Sequence, residues 1–147
     1  IDFRIQEGKS MELDLLNNLN SIENKLEKIK IYSPERIETI KKKIKQSLEE
    51  LKIEFDKNRF EQELIYYLEK YDINEEIIRL GNHVVFFKKI IDESTVEKGK
   101  KLAFVGQEIG REINTIGSKS NHLLMQQTVV EMKNDLEKIK EQLLNVL

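Results

Sequence analysis

SMELDLLNNLNSIENKLEKIK, residues 10–30, carries Leu15, Leu19, Ile22, Leu26 and Ile29 at spacings of 4, 3, 4 and 3. Residues so spaced return to one side of a helix, and the charged residues between them face away. This is the seam of a coiled-coil arm. The same rhythm closes the chain, where Val129, Met132, Leu136, Ile139, Leu143 and Val146 are spaced 3, 4, 3, 4 and 3. One proline and six glycines in 147 residues leave the stretches between long and uninterrupted. The fold expected is all-α: a helical bundle with a long antiparallel coiled-coil hairpin arm.

The hairpin is read at Ile31-Tyr32-Ser33-Pro34. Ser33 suits an N-cap, and Pro34 suits the first helical position, where its missing N–H would be unpaired anyway. A helix over 10–30 would then turn back on a second over 34–57, whose apolar side holds Ile37, Ile40, Ile44, Leu48, Leu51 and Phe55. Residues 1–57 make this hairpin unit, and 58–147 a C-terminal helical domain. Helices are expected there over 59–71, 73–91, 100–116 and 122–146, with a charged connector over 92–98 and a break over 117–121. Asp72 or Asn74 would cap the helix that follows, with Glu75 three residues after Asp72 as in a capping box. Ile1, Phe3 and Ile5 alternate, which taken alone reads as strand.

Charged residues make up 35% and hydrophobic ones 39%, a composition that folds around a thin core. The absence of cysteine removes disulfides and thiolate metal sites. No apolar run nears the roughly 20 residues of a membrane helix, and no signal peptide is visible. No membrane partner and a reducing, cytoplasmic setting are the default expectation. A net charge of −2 argues against a polycation that grips nucleic acid over its whole surface. Lys41, Lys42, Lys43 and Lys45, the densest basic run, read as a solvated helix face. The chain begins at Ile1 and not at methionine, so it is expected to be part of a longer protein.

Two stretches depart from this background. In the run from Asp72 to His83, Ile73, Ile77 and Leu80, with Val84 and Phe87 beyond, share one helix face; Glu76, Arg79 and His83 line its border. In the run from Gln107 to Lys119, Ile109, Ile113 and Ile116 continue an apolar face begun by Leu102 and Val105. Glu108, Glu112 and Thr115 follow one flank of it. Gly106 and Gly110 cost about 1 kcal/mol each inside a helix and mark close helix approach or ligand access. If the two helices pack together, Glu76 and His83 would meet Glu108 and Glu112. Carboxylates with one imidazole suit a divalent ion such as Mg²⁺ or Mn²⁺, and Arg79, Arg111 and Lys119 would hold phosphates. The plainer reading is ordinary surface pairing on helices, with His83 at the core edge and His122 starting the last helix. Gly117-Ser118-Lys119 is not a phosphate loop, since the upstream strand and first glycine are missing.

The run Gln107-Glu108-Ile109-Gly110-Arg111-Glu112-Ile113-Asn114-Thr115-Ile116-Gly117-Ser118-Lys119 resembles the signature Q-E-M-N-R-E-x-N-T-x-x-S-K of the bacterial YicC/YloC family. Arg59-Phe60-Glu61-Gln62-Glu63 looks like that family's R-L-x-Q-E, and Asp72 to His83 like its D-I-x-E-E-x-x-R-L-x-x-H. Arg4 and Glu7-Gly8 look like its R-x-x-E-G. Lys133, Leu136 to Ile139, Glu141 and Gln142 look like its terminal K-x-x-L-E-K-I-R-E-Q. The sequence departs from the pattern at Ala103, Ile109 and Gly110, where the family has aspartate, methionine and asparagine.

The resemblance implies the C-terminal half of a metal-dependent endoribonuclease that assembles into homo-oligomers, with residues 1–7 helical. It makes Glu76, His83, Glu108 and Glu112 metal-ligand candidates, and Glu108, Glu112, His83 and Arg111 catalytic candidates. Arg59, Arg79, Arg111 and Lys119 would contact RNA phosphates, with Asn114, Thr115 and Ser118 supporting the loop or the substrate. Two alternatives stand beside it: an oligomerisation module whose chemistry lies in another domain, and RNA binding without cleavage. No aromatic residue sits among the basic ones as a stacking platform, so the chain alone is expected to bind RNA poorly.

Overall fold

The computed structural model describes the backbone of residues 2–50, 57–93 and 97–146, and the side chains of 8–47, 49–50, 58–93 and 97–144. Ile1, Leu51, Phe55, the middle of the 92–98 connector and the side chains of Leu48 and Val146 lie outside the described residues. The chain is all-α. Its helices are α1 (Asp2–Glu50), α2 (Lys57–Lys70), α3 (Asn74–Ile91), α4 (Lys98–Lys119) and α5 (Leu123–Val146). No strand occurs among the described residues, and the backbone from Asp2 onward is helical, as the resemblance implied and against the period-two reading.

The core is a ring of four helices: α1 packs on α5, α5 on α4, α4 on α3, and α3 back on α1. The first seam fills one side of it, with Leu15, Leu19, Ile22, Leu26 and Ile29 all buried. Met125, Val129, Met132, Leu136, Ile139 and Leu143 of α5 face them. Each such side chain contributes about 2 kcal/mol on leaving water. A half-buried ion pair crosses the same interface, Lys25 Nζ to Asp135 Oδ2 at 2.6 Å, and fixes how α1 and α5 slide against each other. Gly110 and Gly117 let α5 close on α4. A Cβ at Gly117 would sit 3.0 Å from Val129 Cγ1, and one at Gly110 3.1 Å from Leu136 Cδ2. Gly106 has no such neighbour, so it is not a close-approach glycine. The break expected at Gly117 is absent, and α4 runs on to Lys119.

The antiparallel hairpin over 31–34 is corrected. Residues 2–50 form one continuous helix, with Pro34 inside it, about 74 Å long at 1.5 Å per residue. The physical reason is phase. The seam continues past Ile29 to Ser33 and Arg36 at spacings of 4 and 3, and Arg36 is buried as the seam demands. Pro34 lies on the exposed side, where the Lys30 carbonyl, deprived of its N–H partner, meets water. Beyond Arg36 the helix leaves the ring, Ile37, Ile40 and Ile44 are half-buried, and α2 packs there.

Between α2 and α3 the chain turns at Tyr71-Asp72-Ile73. The N-cap of α3 is Ile73, which plugs the core and has no side-chain oxygen, so the capping box expected from Asp72 and Glu75 is corrected; Asp72, one residue earlier, instead accepts the Asn74 N–H at 3.0 Å.

A proline inside a helix costs up to about 3 kcal/mol relative to alanine, whereas at a helix start it costs little. Pro34→Ala is therefore expected to raise unfolding stability of the full-length protein by about 1–3 kcal/mol, measured as a shift in the urea midpoint. An unchanged or lowered midpoint would restore the turn at Ser33-Pro34.

Candidate functional site

The two family-like runs meet where α3 packs against α4. Ile77, Leu80, Val84 and Phe87 on one helix, and Ile109, Ile113 and Ile116 on the other, bury the apolar faces. This brings the polar border residues together along the seam's edge. Glu112 is buried, only 8% exposed. Its Oε1 lies 3.6 Å from Arg79 Nε and 3.9 Å from His83 Nε2. Arg79 also reaches Glu75 one turn back, at 3.2 Å. A carboxylate, an imidazole and a guanidinium thus share one partly desolvated spot, with His83 and Arg79 still open to solvent.

Toward the N-terminus of α3 stands a second group. Lys119 Nζ is 2.8 Å from Glu76 Oε1 and donates to the Asp72 carbonyl at 3.0 Å. Glu76 is 4% exposed, and its other oxygen has no hydrogen-bond partner among the described residues. A buried carboxylate is tolerable only with a cation close by, and Lys119 supplies it.

The end of α4 that carries Lys119 is held from three sides. Arg36 of α1, also 4% exposed, donates from Nη1 to the Lys119 carbonyl at 3.1 Å and from Nη2 to the Tyr71 carbonyl at 2.6 Å. Burial pushes its guanidinium down from the ordinary arginine range, and the charge of Asp72 works against that shift. Gln126 of α5 donates from Nε2 to the Gly117 carbonyl at 2.7 Å and to the Ser120 carbonyl. Ser120 Oγ donates to the Ile116 carbonyl at 2.5 Å. His122 does begin the last helix, accepting the Met125 N–H on Nδ1 at 3.3 Å; its ring stacks on Tyr32.

Of the residues singled out in the sequence, Glu112, His83 and Arg79 form one cluster, and Glu76 with Lys119 another. Glu108 pairs with Arg111 on its own helix at 3.7 Å, and Arg111 is largely exposed. Thr115 and Ser118 return their hydroxyls to the Arg111 and Asn114 carbonyls, both at 3.0 Å, and Asn114 is exposed. Arg59 lies apart, in a groove between α1 and α2. Among the described residues no group of three or more acidic or histidine side chains is gathered to hold a metal ion. Of the four residues the resemblance makes metal-ligand candidates, Glu112 and His83 face each other; His122 Nε2 faces Glu35 Oε2 elsewhere, at 3.4 Å. Arg36 was not singled out; its one sequence signal is its in-phase place on the α1 seam.

Residues 29–147 match the family described as Endoribonuclease YicC-like, C-terminal. The chain is similar to the probable endoribonuclease YicC of Clostridioides difficile (strain 630), with 37% identity over 150 positions covering 99% of this chain and 50% of that protein. It is also similar to the probable endoribonuclease YicC of Haemophilus influenzae (strain ATCC 51907 / DSM 11121 / KW20 / Rd), 31% identical over 146 positions, again 99% of this chain and 50% of that protein. The chain spans about half the length of the curated relatives it matches.

Removing Lys119 strands the Glu76 carboxylate. Lys119→Met is expected to cost about 2–3 kcal/mol, and Glu76→Gln in the same chain to recover most of it. Urea unfolding of the two single variants and the double would give a coupling of about 2 kcal/mol. Strict additivity would mean that the two side chains do not pair.

Proposed function

The chain belongs to the YicC-like endoribonuclease C-terminal family, and from that premise we propose that it carries the RNA-cleaving site of a longer protein, centred on Glu112, His83 and Arg79. The observation that supports this most is the convergence of those three side chains, from two helices, on one half-buried spot. Breaking an RNA phosphodiester bond needs a group to take a proton from the attacking oxygen, one to return a proton to the leaving oxygen, and positive charge at the phosphate. An imidazole backed by a carboxylate suits the proton transfers. Arg79 offers a guanidinium to a phosphate oxygen beside it, and Lys119 a second cation nearby. Arg111, exposed beside Glu112 in α4 and paired with Glu108, offers a further cation to RNA; Asn114 and Ser118 lie along the same helix.

A divalent ion, Mg²⁺ or Mn²⁺, belongs to this proposal. Glu112 and His83, which face each other at 3.9 Å, would be its two protein donors; with the ion bound, His83 would serve as a ligand and the proton transfers given above to its ring would fall to water. When bound, the ion supplies charge neutralisation and a more acidic water. Glu76 and Glu108, tied to Lys119 and Arg111, stand outside that pair.

We also propose homo-oligomerisation. Ile78 and Val85 on α3 and Phe104 on α4 are more than 60% exposed, which suits contacts between copies. Among the described residues no helix is long and apolar enough to cross a membrane, and a cytoplasmic setting goes with an RNA substrate.

The test is RNA cleavage by the full-length protein with Mn²⁺, with EDTA, and as Glu112→Gln and His83→Gln. Each variant is expected to lose about 100-fold or more in rate while keeping its helical circular dichroism, and EDTA to stop cutting. Undiminished cutting by both variants would remove these residues from the chemistry and move the reaction to another domain.

A further inference from the structure

Past the point where α1 leaves the four-helix ring, a groove of about 440 Å³ opens between α1, α2 and the loop joining α4 to α5. That volume is in the range of ligand sites. Its α1 wall carries Ile40 and Ile44, and the lining also includes Lys43, Arg59, Tyr67 and Tyr71. Lys43 and Arg59 make no ion pair among the described residues, and the one acid in the lining is Glu63. The groove is therefore basic in a chain whose net charge is −2. Its α2 side is aromatic. Tyr67 and Tyr71 stack with centroids 5.8 Å apart and planes at 20°, and Tyr67 is partly open to solvent. Arg36, in the lining, keeps a buried Nε–H without an acceptor among the described residues.

We infer that this groove holds one nucleotide of a single-stranded RNA, its base against the Tyr67–Tyr71 stack and its flanking phosphates on Lys43 and Arg59. Aromatic faces beside backbone-tracking cations are what unpaired nucleic acid binds. A duplex hides its base faces and cannot enter a concavity of this size. The groove also lies beside Lys119, the second cation of the reading above. Tyr71 lines it, and the very next residue, Asp72, gives its carbonyl to Lys119. A strand leaving the groove past Tyr71 thus arrives at Lys119 and Glu76. The inference rests on the RNA-cleaving reading and names where that substrate is held. Lys43 then belongs to a phosphate-contacting edge and is more than part of a solvated lysine face.

The test is fluorescence anisotropy of a fluorescein-labelled ten-nucleotide single-stranded RNA with the full-length protein at several salt concentrations. Cleavage is followed in parallel on gels, and circular dichroism confirms folding of each variant. Tyr67→Ala is expected to weaken binding about tenfold. Lys43→Ala with Arg59→Ala is expected to lower the slope of log affinity against log salt by about 1.4, at about 0.7 per lost phosphate contact. In cutting assays both changes should raise KM and leave kcat at saturating RNA unaltered, which separates them from Glu112→Gln. If both variants bind as the parent does while cutting continues, the groove inference fails and the cleavage reading stands. If the groove variants lose binding but the parent never cuts, the groove stands and the cleavage reading fails. Displacement of the RNA by adenosine monophosphate at micromolar concentration would mean a free-nucleotide pocket and overturn the inference.

Discussion

One buried guanidinium ties the molecule together. Helices α2 and α4 both end in carbonyl groups that have no donor within their own helix, and both ends carry the negative pole of the helix dipole. Arg36 places its fork between them, with one arm on Tyr71 and the other on Lys119. A cation so placed needs no contacting carboxylate, because two helix termini share the work of offsetting its charge. The result is that the last turn of α4 is fixed against the turn that joins α2 to α3. Lys119 can then stand over Glu76, and Glu112, two turns earlier on α4, reaches Arg79 and His83 on α3. The geometry of the candidate site is thus set by a side chain on α1 that touches none of its acids.

The helices themselves were legible because periodicity is a local property. Leu15 to Ile29 and Val129 to Leu143 announce their buried faces within a few turns, and every described member of both seams is buried. The error at Ser33-Pro34 came from a signal that is also local but ambiguous. Serine followed by proline marks a helix start only if the apolar phase resets there. Here the phase carries through to Arg36, and the seam's next member is a charged residue that reads as surface until the helix ends it serves are in view.

The site was legible in part for the same reason. Spacing placed Glu76, Arg79 and His83 on one border of α3, and Glu108 and Glu112 on one flank of α4. It could not show how the two helices are rotated about their axes, and that rotation decides the partners. Glu112 meets His83, but Glu76 meets Lys119, and Glu108 turns back to Arg111 on its own helix. The aromatic neighbours of the basic groove were invisible for a stronger reason. Lys43 and Tyr67 are separated by a whole change of helix, and no window along the chain contains both.

The length of α1 has a mechanical consequence. One end of this helix is locked into the ring by five aliphatic side chains and the Lys25–Asp135 pair, and the other forms a wall of the basic groove. A continuous α-helix resists bending, so force applied at the groove is delivered to the ring unless the rod yields somewhere. The backbone is softest at Pro34, where one rung of the hydrogen-bond ladder is already missing. That flexure point lies two residues before Arg36. A bend there would be felt first at the fork that clamps α2 to α4, because Arg36 sits within a turn of Pro34 and holds both helix ends.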